Sequence, residues 1–265
     1  MLFEMALGTG AAMAGGFAYA KGKRNRLYRE LADRTARIVR NNAADISYEQ
    51  RALPSFAKRF AVIPDILDAA HFQAIRAEAE RLAGAERSFV PAHKKGGTIA
   101  YETLIASAPA IVALYHAPSL MGLISRLSGL TVVPTPFHDQ SSLSVLSYDK
   151  PGDHIGWHFD HNFYRGRHFT VLLPVINQGH APGGLSHAQL IARLGEEERS
   201  VQSPPNVLIV FEGAKVRHKV LPIAEGERRL VISMTYCTDP SSSLAQGAAR
   251  RIKDTAFFGL RALWT

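Results

Sequence analysis

From Thr131 onward, Gly, Pro and Asp cut the chain into short apolar runs, and this punctuation limits the fold more than any other feature. The runs are Leu143–Tyr148, His154–His158, and residues 169–176, 207–211, 216–223 and 230–236. Each is shorter than an ordinary packed helix and is bounded by turn residues, so each reads as a strand. Six or more such strands after a helical segment predict a mainly β protein, with a double-stranded β-helix (jelly roll) core and flanking helices. Upstream, residues 60–63 read as a first strand, and Asp65 reads as the cap of a helix carrying Ile66, Leu67, Phe72, Ile75 and Leu82. Residues 109–127 read as one apolar helix, and residues 249–264 as a terminal helix.

The 265 residues suffice for one good-sized domain and an appendage. With 46% apolar and 20% charged residues, the composition is that of a folded globular chain. The single cysteine, Cys237, excludes an intramolecular disulfide and any Cys-based zinc or iron–sulfur site. A net charge of +8 suggests an acidic partner until it is mapped. Residues 21–40 hold eight Lys or Arg against Glu30 and Asp33, so +6 of the +8 lies there. The remainder is nearly balanced, which argues against nucleic acid as a partner.

That basic stretch directly follows an uncharged run, residues 5–20, rich in Ala, Gly and Met. A cleavable signal peptide carries its positive charge before the apolar run, and here the order is reversed. Residues 1–20 therefore read as a membrane anchor or an apolar tail, with the basic cluster holding the protein on the cytoplasmic side. Residues 21–55 read as a basic stem helix and linker that form an N-terminal helical segment. Residues 56–265 read as the main domain, with its jelly-roll core at about 131–238.

Within the core, His158 and Asp160 share one face if they lie on a strand, because side chains alternate. His218 arrives from another apolar run, with 57 residues between it and Asp160. Two imidazoles and a carboxylate on one face of a metal form the 2-His-1-carboxylate arrangement of non-haem Fe(II) oxygenases.

Several ordered elements surround this triad: Tyr148-Asp149-Lys150-Pro151-Gly152-Asp153, Gly183-Gly184-Leu185, His218-Lys219-Val220-Leu221-Pro222 and Gly226-Glu227-Arg228-Arg229. With these elements the chain resembles the Fe(II)/2-oxoglutarate dioxygenases, in particular the prolyl-4-hydroxylase-like branch. The resemblance runs from about Leu143 to Tyr236. It implies Fe(II) on His158, Asp160 and His218, with 2-oxoglutarate and O2 as co-substrates and ascorbate as an optional reductant. It also implies a cation for the far carboxylate of 2-oxoglutarate, which Arg228 or Arg229 supplies. Spacing from Gly226 favours Arg228. Strand parity favours Arg229, which then shares a face with Val231, Ser233 and Thr235 and sets the Ser233 hydroxyl beside the carboxylate; Arg229 is preferred. Tyr148 falls where this branch has a tyrosine contacting the co-substrate, although a strand-end aromatic explains it as well. Asp160 argues against the related halogenases, which leave the carboxylate position open for halide.

Other polar residues have less defined readings. His154 shares the ligand face if its strand is regular, whereas His161 turns away or leaves the strand. Asn162, Tyr164, Arg165 and Arg167 crowd the next loop as substrate contacts or as solvated charges. The His93-Lys94-Lys95-Gly96-Gly97 stretch reads as a lid or a mobile loop, and Glu196-Glu197-Glu198-Arg199 as a solvated turn. Two further readings compete with the oxygenase: a membrane-tethered, non-catalytic jelly-roll binding protein, and a cupin-like metalloenzyme without 2-oxoglutarate. The main substrate, whether small molecule, lipid or peptide, is not specified by any of these features.

Overall fold

The structure is a computed structural model that describes residues 2–42, 46, 52–84, 87–90 and 94–258, with side chains described for 22–42, 46, 52–84 and 94–257. Helix α1 (Leu2–Asn41) comes first, then strand β1 (Phe60–Ile63) and helix α2 (Ala69–Leu82). Strands β2 (Arg87–Val90) and β3 (Lys94–Ile99) precede helices α3 (Tyr101–Ser107), α4 (Pro109–Tyr115) and α5 (Pro118–Ser128). The rest is largely β: β4 (Val133–Pro134), β5 (Leu143–Tyr148), β6 (His154–His158), β7 (His168–Gln178), β8 (Leu190–Leu194), β9 (Glu197–Val201), β10 (Leu208–Phe211), β11 (His218–Val220) and β12 (Arg228–Cys237). Helix α6 (Leu244–Phe258) closes the described chain.

The strands hydrogen-bond in the order β1-β10-β7-β12-β5-β3-β6-β11-β8-β9, and every pairing is antiparallel. Strand β3 links the two halves of this path. Its residues 97–99 pair with β5, while Lys94 and Lys95 pair with Ile155 and His154 of β6. Side-chain alternation then divides each long strand between two cores. On β12, Leu230, Ile232, Met234 and Tyr236 pack into a cluster with residues of α2 to α5. On the other face, Val231 joins Tyr148, Leu172, Ile209 and Phe211, and these meet Leu190, Ala192 and Val220 from the far end of the strand path. Residues from both ends can share one cluster only if the sheet curls onto itself, which is the predicted jelly-roll core. At about 25 cal/mol per Å2 of apolar surface removed from water, these two clusters supply most of the drive to fold.

Several local expectations need correction. The helix-capping residue is Asp68, whose Oδ1 accepts from His71 N at 3.0 Å; Asp65 instead takes a left-handed φ of 52° in the preceding turn. The expected single helix over 109–127 is two helices, because Pro118 has no amide hydrogen to continue the ladder and instead opens α5. The stretch read as a lid is not a loop: Lys94 to Gly97 belong to β3. The solvated turn at 196–199 is the edge hairpin β8–β9. Strand β11 is shorter than the apolar run around it, and α6 begins earlier than expected.

Helix α1 is continuous, so the apolar run and the basic stem form one helix. Leu31 of its described part is buried in the core, and Arg34 donates to Ala106 O at 2.8 Å. The side chains of residues 1–20 lie outside the described residues, and so does the anchor reading. Among the described residues, 109–128 alone is long and apolar enough by composition to cross a membrane, and it consists of the broken pair α4 and α5 packed in the core.

Candidate metal centre

His158 ends β6, and His218 begins β11 directly opposite it in the antiparallel register. Their ring centroids are 4.1 Å apart. Each ring is turned by its own backbone. His158 Nδ1 lies 2.9 Å from Gly156 O, and His218 Nδ1 lies 3.0 Å from Val216 O. A carbonyl oxygen only accepts, so both Nδ1 atoms carry the proton and both Nε2 atoms offer a lone pair to the same point. Asp160 lies just beyond β6, where its amide donates to Gly213 O at 3.0 Å. Its Oδ1 is 3.5 Å from His158 Nε2 and 3.7 Å from His218 Nε2. One donor atom from each of the three residues falls within 4.8 Å of the others, a spacing that a single ion spans.

The carboxylate is clamped on the side away from that point. Thr170 Oγ1 donates to Asp160 Oδ2 at 2.5 Å. A Cβ at Gly213 would collide with Asp160 Oδ2 and Thr170 Oγ1, so only glycine fits behind the ligand. Burial opposes ionisation of Asp160, but His218 and His158 outweigh it and hold the carboxyl far below the usual range. The donor set thus fits a divalent metal: two neutral-capable imidazoles and a fixed anion.

The triad opens into a cavity of about 180 Å3. Arg229 and Tyr148, paired across β12 and β5, form one end of it. Arg229 is 1% exposed and its guanidinium carbon stands 5.2 Å from the Tyr148 ring centroid. Its Nε and Nη2 find no hydrogen-bond partner of good geometry among the described residues, and the Tyr148 hydroxyl faces the guanidinium. Buried donors of this kind are costly alone and suit a bidentate carboxylate, so this end fits the far carboxylate of 2-oxoglutarate. Arg228 points to the opposite face, where Nη1 is 3.3 Å from Glu80 Oε1. Ser233 lines the cavity too, but four residues along β12 from Arg229. At ~3.3 Å per residue that is about 13 Å, too far to touch the same carboxylate; Val231 holds the nearer inward position.

Glu227, two residues before Arg229, is tied to the surrounding loops. That side chain accepts from the amides of His180 at 2.9 Å, His187 at 2.8 Å and Ala224 at 3.1 Å. Burial raises its pKa, but these backbone donors and His187 overcome that and bring it down to about 2.

Other expected site residues are distributed differently. His154 does not reach the cavity; its Nδ1 sits 2.8 Å from Gly152 O, because the β6–β11 register shifts between His158 and Ile155. His161, expected to turn away or to leave the strand, lies beyond the end of β6, where it lines the cavity and stacks on Phe163 at 5.7 Å. Within 162–167 no residue lines the cavity: Tyr164 donates to Asp139 Oδ2 at 2.8 Å and Arg167 grips Glu212 at 2.9 Å. The cavity also takes in Lys94, Thr98, Asp139, His168, Lys253 and Phe257, from elements with no motif of their own. Lys94 and Thr98 share parity on β3, as Lys253 and Phe257 share a helical face on α6; those spacings were the available signals.

Solved structures of low sequence identity share this fold. A prolyl hydroxylase from Trichoplax adhaerens, in complex with a hypoxia-inducible-factor peptide fragment, aligns at TM-score 0.57 and 17% identity over 73% of this chain and 87% of that one. The epimerase SnoN from nogalamycin biosynthesis, described as non-haem and α-ketoglutarate-dependent, aligns at 0.55 and 17% over 67% and 77%. AviO1 from Streptomyces viridochromogenes Tue57 aligns at 0.52 and 17% over 73% and 99%. No curated protein matches by sequence. The family model described as Halogenase D matches residues 45–255, well over half of the 265, and the chain belongs to that family.

Proposed function

We propose that the protein is an Fe(II)- and 2-oxoglutarate-dependent oxygenase that hydroxylates a C–H bond of a small-molecule, lipid or peptidyl substrate. The observation that carries this reading is the convergence of His158, Asp160 and His218 on one point of a cavity whose far end holds a buried, unpaired arginine. Fe(II) supplies the activation of O2 there, so that R–H, O2 and 2-oxoglutarate become R–OH, succinate and CO2. The chain's own residues do the rest. The backbone carbonyls of Gly156 and Val216 fix the two imidazoles, Thr170 and Gly213 fix the carboxylate, and Arg229 with Tyr148 orients the co-substrate. Leu146, Leu172, Leu190 and Val231 line the cavity between them and keep water from it.

Halogenation is the second reading, favoured by the description of the family. Asp160 weighs against it, because its clamped carboxylate takes the position a halide would need. Wild-type protein given Fe(II), 2-oxoglutarate and O2 is expected to form succinate, with products unchanged by added chloride. Chloride incorporated into product would replace hydroxylation with halogenation, and absence of succinate would reject both. His158→Ala, Asp160→Ala and His218→Ala should each abolish turnover while the fold, read by circular dichroism, persists; His154→Ala should keep it. Residues 1–20 are proposed to tether this domain to the cytoplasmic face of a membrane, on the strength of the apolar run and the basic cluster after it. Full-length protein that leaves the membrane pellet in high salt would reject the spanning helix.

A further inference from the structure

The cavity holds a second buried cation besides Arg229, and it differs from its neighbours. Lys94 is 7% exposed, and its ammonium has one hydrogen-bond partner among the described residues, the Thr98 hydroxyl. It also lies 5.6 Å from the centroid of the Phe257 ring. No carboxylate among the described residues pairs with it. Lys253, which lines the same cavity, is fully matched: Asp139 Oδ1 at 3.1 Å, Asp254 Oδ1 at 2.9 Å and Ser141 Oγ at 2.8 Å. An ammonium has three donors, and a buried one that meets a single neutral hydroxyl has capacity for an anion. Burial, then repulsion from Lys253, lowers the Lys94 pKa to about 8, which leaves it mostly charged at neutral pH.

The backbone presents Lys94 to the cavity by design of β3. Lys94, Gly96 and Thr98 alternate inward, while Lys95 turns out and donates to Pro151 O at 3.0 Å. Gly96, at φ 151°, carries no side chain, and a Cβ there would press on Ser147 O and reach the Tyr148 ring. The glycine thus lets β3 approach β5 closely next to Lys94. Lys94 neighbours Lys253 and Phe257 of α6, whereas Arg229 lies against Tyr148 on β5. The two cations serve different parts of one cavity.

We infer that the main substrate is a small carboxylic acid, and that Lys94 with Thr98 receives its carboxylate while Arg229 holds 2-oxoglutarate. This rests on the oxygenase reading above and narrows its substrate class. The probe is propionate against propionamide, titrated calorimetrically into full-length protein carrying Zn(II) and 2-oxoglutarate, so that the metal and Arg229 are filled and no turnover occurs. Propionate is expected to bind at least about tenfold more tightly than the amide, about 1.4 kcal/mol. Lys94→Met and Lys94→Gln should reduce it to the level of the amide, Lys94→Arg should preserve the preference, and Lys95→Met should not alter it. Melting temperature supplies an independent readout: Lys94→Met should be at least as stable as wild type without propionate, since it removes an unpaired buried charge. Equal binding of acid and amide, an undiminished preference in Lys94→Met, or a variant whose loss is of 2-oxoglutarate alone would each overturn the assignment. Failure of the wild type to bind Zn(II) and 2-oxoglutarate would instead sink the oxygenase reading.

Discussion

Two buried charged regions lie on either side of the cavity, and they are built on opposite principles. In the first, Arg250 meets Asp254 at 2.7 Å, Lys253 bridges Asp254 and Asp139, and Tyr164 completes Asp139. Each charge has an opposite within hydrogen-bonding distance. In the second, Arg229 is as deeply buried and leaves two guanidinium nitrogens without a partner among the described residues. A network of opposite charges fastens α6 to the loop before β5; a cation with no opposite charge is prepared for something that arrives from outside. Burial alone does not separate structure from function here, whereas the presence of an opposite charge does.

The largest effect should come from breaking the satisfied region. Asp254→Ala leaves Arg250 and Lys253 short of a carboxylate, and it should lower unfolding free energy by about 3–5 kcal/mol in urea titrations. A loss under ~1 kcal/mol would mean that the network is not holding α6. The matching change in the unmatched region should spare stability and cost binding. Arg229→Ala should weaken 2-oxoglutarate binding on the order of a hundredfold or more, with metal affinity nearly unchanged, because the far carboxylate loses its partner at about 3–5 kcal/mol. A melting temperature that falls as far as in Asp254→Ala would erase the contrast.

A smaller effect belongs to Glu227, whose folded pKa of about 2 lies below its ordinary value near 4.5. Its contribution is fully present above the ordinary value and is lost as pH falls from there toward 2, on the order of 2–3 kcal/mol. Glu227→Gln should therefore flatten part of the decline in stability between neutral pH and pH 3, measured by thermal melts across that range. An unchanged profile would remove Glu227 as the staple of the loop before Arg229. The smallest effect is expected at Arg228, which is half-buried at the surface and paired with Glu80 at 3.3 Å. Arg228→Ala should change stability by about 0–1 kcal/mol and leave 2-oxoglutarate affinity alone. A large loss of affinity there would reverse the assignment of the two arginines.

The sequence by itself determined what depends on local period and order. Short runs between turn residues encoded the strands, and the His158–Asp160 spacing with His218 encoded a donor set. Parity along β12 put Arg229 and Arg228 on opposite faces, because alternation in a strand is a property of the chain and needs no neighbour, while spacing from Gly226 had favoured Arg228. Parity failed where a strand shifts register, displacing His154 from the ligand face; it says nothing of distance, which puts Ser233 too far along β12, nor of residues beyond a strand end such as His161. Only the tertiary structure decided which faces meet. Lys94 on β3, Asp139 in a loop and Lys253 on α6 are far apart in sequence, and no local pattern states that they share one cavity. The same holds for Gly213 and Thr170 behind Asp160: their role arises from a close approach of backbones, set by long-range pairing. Local sequence specifies the direction of a side chain, and the curl of the sheet specifies what that side chain encounters.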